Sequence, residues 1–204
     1  FDGYAHDFSS IYKEDTKKRS SFDKLMDKWF RQGIQERFTN TIDRTKKDTI
    51  NTVLDIGCGP GHFVVKFLEQ NKKVTALDIA PSMLEITKQR VKSIGKENDV
   101  EFILDDYLVY NPVKKFDAAC VMGFFDYVED PVRVLKKLLN DIDKEIYISI
   151  PDNRGILALQ RRLRYKLRKC PLFLYSRVFL EDCLKKANCY EISEIIDIDR
   201  GFFV

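Results

Sequence analysis

The 204-residue chain has only two histidines, His6 and His62. Its five cysteines, Cys58, Cys120, Cys170, Cys183 and Cys189, form no C-x-x-C pair. Zinc-ligand spacing is therefore missing, no metal centre is expected, and free thiols in a reducing cytoplasm are the plain reading. No apolar run approaches the roughly 20 residues that span a bilayer, and the first residues show no signal-peptide pattern. Net charge is also scarce: 35 basic against 32 acidic residues leave +3, too little for bulk attraction to nucleic acid or membrane. Nucleic acid is accordingly not an expected partner. Repeats, low-complexity tracts and Gly/Ser linkers are absent as well.

With 44% hydrophobic and 12% aromatic residues, the chain has enough apolar surface for one sizeable core. A single domain over 1–204 is expected, divided into a helical cap (1–48), a central core (49–150) and a C-terminal segment with further strands (151–204). Phe22, Leu25, Met26, Trp29, Phe30, Ile34, Phe38 and Ile42 recur at helical intervals, which predicts a long amphipathic helix capped by Ser20 or Ser21.

Short apolar runs follow at Thr52 to Ile56, Lys73 to Leu77, Val100 to Leu104, Phe116 to Val121 and Ile146 to Ile150, and read as buried parallel strands. Helical patterns near Gly61 to Glu69, Pro81 to Ser93 and Pro131 to Asn140 separate them, the last two opened by proline. This alternation predicts an α/β fold: a Rossmann-like, doubly wound, mostly parallel seven-stranded sheet with helices on both faces and an added N-terminal helix. Beyond Pro151 a basic helical segment reaches about Lys169, and Ser176 caps another helix. A strand is expected over Ile192 to Ile198, and "RGFFV" reads as the start of one more.

The most informative stretch is "VLDIGCGPG", Val53 to Gly61. Glycines at 57, 59 and 61 permit a sharp turn and close ligand approach at the carboxyl edge of the first strand. A pyrophosphate wants free N–H groups and positive potential, whereas this turn offers Asp55 and Pro60, which has no N–H. A cofactor with a cationic amino group and no phosphate suits the carboxylate, directly or through water.

Here the sequence resembles the class I S-adenosylmethionine-dependent methyltransferases, whose first motif is a hydrophobic run followed by D/E-x-G-x-G-x-G; "LDIGCGPG" matches it fully. The resemblance covers Thr52 to Pro151 and implies S-adenosyl-L-methionine as cofactor. On that pattern Asp55, Gly57, Cys58, Gly59 and Gly61 form the cofactor turn. Asp78, in "VTALDIAPSML", should accept the ribose hydroxyls, with Ile79 and Met83 flanking adenine. In "VEFILDDYL", Asp106, or Asp105 if the alignment slips by one, should accept the adenine amino group, beside the Tyr107 N–H. Met122, Gly123 and Phe124 fall beside the methionine portion. "MGFF" differs from the N/D-P-P-Y/F of enzymes that methylate base amines, which argues against such a substrate.

Methyl transfer from a sulfonium is an in-line displacement, so the protein must mainly orient, desolvate and, for a hydroxyl acceptor, remove a proton. "SIYKED", "FFDYVEDP" and "FLYSR" look like the magnesium-protoporphyrin O-methyltransferase group. That likeness makes Tyr12 and Asp126 the catalytic candidates, although Asp126 stands where that group has histidine. Asp126 reads alternatively as an exposed loop carboxylate or the cap of the helix at Pro131. His62 reads as a first-turn helix residue.

The run "RRLRYKLRK", Arg161 to Lys169, with Leu159, Leu163 and Leu167 at four-residue spacing, reads as an amphipathic helix with a solvated basic face. A phosphate, carboxylate or anionic membrane is its other possible complement. The leading expectation is methylation of a small-molecule acceptor, at oxygen in preference to nitrogen. The alternatives are an RNA or protein methyltransferase using the basic run, and a non-catalytic cofactor-binding partner subunit.

Overall fold

The computed structural model describes residues 35–154, 158–159, 162–163, 165–166, 171–198 and 201–204. Helix α1 is seen over 35–44, so the predicted start of that helix at Ser21 and its cap lie outside the described residues. Strand β1 (Thr52–Ile56) leads to α2 (His62–Glu69), β2 (Lys73–Asp78), α3 (Pro81–Ser93), β3 (Val100–Leu104), β4 (Phe116–Val121), α4 (Pro131–Asp141) and β5 (Ile142–Pro151). Helix α5 (Arg177–Lys186), β6 (Ile196–Ile198) and β7 (Gly201–Phe203) complete the order.

All seven strands form one sheet in the order β3-β2-β1-β4-β5-β7-β6. The β1–β2, β1–β4, β2–β3 and β4–β5 pairs are parallel, and β7 runs antiparallel to both β5 and β6. The order reverses at β1/β4, and the carboxyl ends of these strands open the crevice in which such sheets bind ligands.

Strand alternation divides the core in two. Leu54, Ile56, Ala119, Val121, Ile148 and Ile150 face α4 and α5, whereas Val53, Ala118, Cys120 and Tyr147 face α2 and α3. Helix α4 buries Val134, Leu135 and Leu138 at helical spacing; each such side chain contributes about 1.5–3 kcal/mol when fully buried. Its start is fixed by Pro131 in the first turn and by Asp130, whose carboxylate accepts from the Arg133 N–H. Ser176 caps α5 as expected, accepting from the Phe179 N–H.

The C-terminal prediction needs correction. Tyr190–Ile192 is a 3-10 turn closed onto Cys189, so Ile192 is exposed and the strand begins only at Ile196. The further strand expected in "RGFFV" is present as β7, which lies between β5 and β6, with Phe202 and Phe203 buried in opposite halves of the core. A side chain at Gly201 would run into the Ile150 carbonyl, which makes glycine the residue that admits this strand. Among the described residues, no helix is long and apolar enough to cross a membrane.

Candidate cofactor and acceptor site

The Gly57–Gly61 turn sits at the β1/β4 crevice with its glycines at φ 67, 53 and 77. Its donors are already committed. Gly57 and Cys58 N–H donate to the Leu77 carbonyl (2.8 and 3.1 Å), Gly61 N–H to the Cys58 carbonyl (3.0 Å), and Gly59 N–H to Asp78 Oδ2 (2.8 Å). Pro60 has no N–H, so this turn holds no cluster of free donors for a diphosphate.

Helix α3 braces the turn. Thr87 Oγ1 donates to the Gly59 carbonyl (2.8 Å), and a Cβ at Gly61 would lie 2.5–2.9 Å from the Thr87 side chain. Thr87 is not among the residues that the glycine motif points to; its signal in the sequence is a polar residue on the face that α3 otherwise buries through Leu84 and Val91.

Asp55 is 1% exposed and lies beneath the turn, with its Oδ2 lacking a hydrogen-bond partner. Burial raises its pKa to about 7, the Cys120 thiol opposes that shift by hydrogen bonding, and the Asp78 charge adds to it. Cys120 pairs with Asp55 across β1 and β4, a neighbour invisible until the register is known. The turn itself carries Cys58, whose thiol is pushed well up by burial and by Asp55 and Asp78. It is therefore an inert packing group and not a nucleophile.

At the end of β2, Asp78 accepts from Gly59 N–H through Oδ2 and from Ala80 N–H through Oδ1, both at 2.8 Å. Burial raises its pKa and these bonds oppose the rise. The Ile79 N–H also opposes the rise, and the four acceptor sites of a carboxylate leave capacity for a ligand hydroxyl. Beside it, Ile79 and Leu104 are both 58% exposed at paired strand ends, an apolar step suited to a flat ring. Leu104 is a second residue to which the motifs assign no role. Met83 is buried and packs with Ala80 and Ile86.

After β3, Asp105 Oδ1 accepts from the Asp106 N–H, and Asp106 Oδ1 accepts from the Leu108 N–H, an Asx turn. Both therefore also serve the loop, with Asp106 the more exposed. The Tyr107 ring is buried and its hydroxyl donates to Asp141 (3.1 Å), so its side chain belongs to the core. Lys137 completes this cluster, 2.9 Å from the Asp141 carboxylate.

Beyond β4, Met122 is half-buried, and Gly123, at φ 74, donates its N–H to Ser149 Oγ (2.9 Å). Phe124 packs over Gly57, where a Cβ would stand 3.4 Å from its ring. Asp126 lies in the 3-10 turn Phe125–Tyr127 and is 5% exposed. Both alternative readings of it are corrected: it is not an exposed loop carboxylate, and Asp130 supplies the cap of α4. Tyr12 lies outside the described residues.

His62 is half-buried against Arg90, and its pKa falls to about 4 through burial and that guanidinium, which suits a structural residue. Tyr175 covers the turn after β4: its hydroxyl lies 3.2 and 2.8 Å from the Phe125 and Val128 carbonyls, to which it donates, and its ring contacts Phe125 and Phe179. An open cavity of about 340 Å³ adjoins it, lined in part by Val128, Asn153, Phe173 and Phe179.

Residues 53–142 match the family model described as a methyltransferase domain. This is a class I S-adenosylmethionine-dependent methyltransferase domain. The methyltransferase chain is 34% identical over 158 residues to malonyl-[acyl-carrier protein] O-methyltransferase 1 of Ilyobacter polytropus, spanning 74% of this chain and 56% of that protein. It is 29% identical to a probable cobalt-precorrin-6B C(15)-methyltransferase (decarboxylating) of Methanobrevibacter smithii, over 53% of this chain and 59% of that one. The chain thus spans just over half the length of these curated relatives. Its fold is similar to that of magnesium protoporphyrin IX methyltransferase from Synechocystis with bound S-adenosylhomocysteine, with a TM-score of 0.74 and 15% identity over 97% of this chain and 88% of that one.

Proposed function

We propose that the protein is an enzyme that methylates an oxygen of a small-molecule acceptor at the β1/β4 crevice. The observation that carries this reading is the pairing of a donor-spent glycine turn with the orphaned Oδ2 of buried Asp55. Buried polar atoms ordinarily have partners, and this one asks for a hydrogen-bond donor, such as an ammonium. The donor set therefore fits S-adenosylmethionine and is ill suited to a dinucleotide.

Bound there, the cofactor supplies an electrophilic methyl group on a sulfonium. Asp55, Gly57, Cys58, Gly59 and Gly61 hold the amino-acid end, with Met122, Gly123 and Phe124 as the opposite wall. Asp78 receives the ribose hydroxyls without giving up Gly59 and Ala80. Ile79 and Met83 with Leu104 border the adenine, and Asp105 or Asp106 with the Tyr107 N–H take its polar edge. Asp126 is the proposed proton acceptor for a hydroxyl acceptor; its burial in the turn after Phe124 requires that the hydroxyl reach deep into the site.

Tyr12 is proposed as a cofactor or acceptor contact. The name of one relative, an O-methyltransferase of a malonyl group on an acyl-carrier protein, supports methylation at oxygen of a metabolite-sized group, free or carried on a protein; that of another, a C(15)-methyltransferase of cobalt-precorrin-6B, supports a metabolite acceptor over RNA. The divided organisation, with 1–48 as cap, 49–150 as cofactor core and 151–204 as acceptor side plus sheet closure, follows the same reading, as does action in the cytoplasm. The test is incubation with methyl-labelled S-adenosylmethionine and a panel of hydroxylated and carboxylated metabolites, read by mass spectrometry. Labelled product from at least one acceptor is expected. Cofactor binding with no transfer across the panel would favour the non-catalytic partner subunit.

A further inference from the structure

The basic segment after β5 does not pack as an ordinary amphipathic surface helix does. Residues 158–159, 162–163 and 165–166 are helical. The inward face is made by Ala158, which is 6% exposed, and by Tyr165, seven positions on, whose hydroxyl meets that of Tyr127 at 3.2 Å. The leucines point the other way: Leu159 is 67% and Leu163 60% exposed. A helix that buries an alanine and half-buries a tyrosine while turning two leucines outward spends its apolar side on solvent, the reverse of the usual arrangement.

The sequence extends this stripe, with Ile156, Leu159, Leu163 and Leu167 spaced by three and four. Arg162 and Lys166, both exposed, lie beside Leu159 and Leu163 on the described helix, and the sequence of the run adds Arg161, Arg164, Arg168 and Lys169. No acidic residue occurs between Asp152 and Glu181. The six basic residues of the run exceed the net charge of the whole chain, so the rest of the protein is net negative.

We propose that this face docks on an anionic lipid surface, the leucines entering the headgroup boundary and the flanking Arg and Lys meeting lipid phosphates. Charge complementarity selects an anionic partner, and the outward leucine stripe selects lipid over nucleic acid, because a phosphate-binding face has no use for exposed leucines. The balanced charge of residues 1–34 makes that segment a poor complement to six positive charges. Tyr165, on the opposite side of the segment from the leucines, ties it to Tyr127, next to Asp126 and beyond Phe124, so docking would hold the turn after β4 near the lipid surface.

Co-sedimentation of the full chain with vesicles tests the docking. Binding to phosphatidylcholine–phosphatidylglycerol vesicles, falling steeply with salt and at least about tenfold weaker with phosphatidylcholine alone, is expected. The doubly substituted Leu159→Ser/Leu163→Ser chain should lose at least about tenfold in vesicle affinity, and Arg162→Glu/Lys166→Glu should abolish the preference for anionic lipid. All variants should bind S-adenosylhomocysteine like the parent, which separates this proposal from that of the cofactor site. Failure to sediment, equal binding to both vesicle types, tighter binding to homopolymeric RNA than to vesicles, or a dimer broken by the leucine substitutions would each overturn it.

Discussion

Replacing Asp55 by asparagine should separate what this carboxylate costs the fold from what it gives the cofactor. Burial holds its pKa at about 7, against 3.8 for the free group. A carboxyl raised in this way carries no penalty below the unfolded value. It loses stability as pH rises through the interval and has lost the full amount above about 7. The gap corresponds to about 4 kcal/mol, an upper bound because water penetration and local relaxation soften it. The ligand-free wild type should therefore become less stable between pH 4 and pH 8, and Asp55→Asn should be the more stable form at pH 8.

Binding reverses the preference. An ammonium placed against Asp55 favours the ionised carboxylate, so binding near pH 6 should release up to about one proton. Calorimetry of S-adenosylhomocysteine in two buffers of different ionisation heat measures that proton directly. Asp55→Asn should abolish the release and weaken binding by about 1–3 kcal/mol. Undiminished proton release in the variant, or a variant less stable than wild type at pH 8, would refute this reasoning.

Other substitutions probe the frame around the site. Asp78→Ala removes the acceptor for both Gly59 and Ala80 N–H as well as the ribose contact, so cofactor affinity should fall by about 1–3 kcal/mol and thermal stability with it; unchanged affinity by calorimetry would remove Asp78 from the site. Gly61→Ala forces a Cβ against Thr87 at φ 77 and should cost at least about 1–2 kcal/mol in urea unfolding, whereas Gly123→Ala, also at positive φ but with open space around it, should cost less. Tyr175→Phe deletes the hydroxyl that holds the Phe125 and Val128 carbonyls; a loss of about 1–3 kcal/mol is expected, and no loss would show that the turn after β4 does not depend on it.

Much of this was legible in the chain because strand-to-helix turns are encoded locally. Pro81, Pro131 and Ser176 fix helix starts within a residue or two of their neighbours, and Gly57 to Gly61 carry their own backbone requirements. What stayed hidden depends on register or on which face turns inward. The Asp55–Cys120 contact exists only once β1 and β4 are aligned. Asp126 looked like a surface loop residue until the Tyr175 segment covered its turn, with Phe173 N–H donating to the Asp126 carbonyl. Ile192 belonged by composition to a strand, but a 3-10 turn ended by Ser193 shortened that strand to three residues. Helical spacing announced a stripe at Leu159 and Leu163 and could not say that it faces outward.

The glycine turn, Asp55 and Asp78 together should select a zwitterionic sulfonium cofactor over a dinucleotide. Titration calorimetry with S-adenosylhomocysteine and, separately, NAD addresses it most directly. Saturable binding of the first with no measurable heat from the second is the predicted result. Comparable binding of both, or binding of NAD alone, would contradict the account.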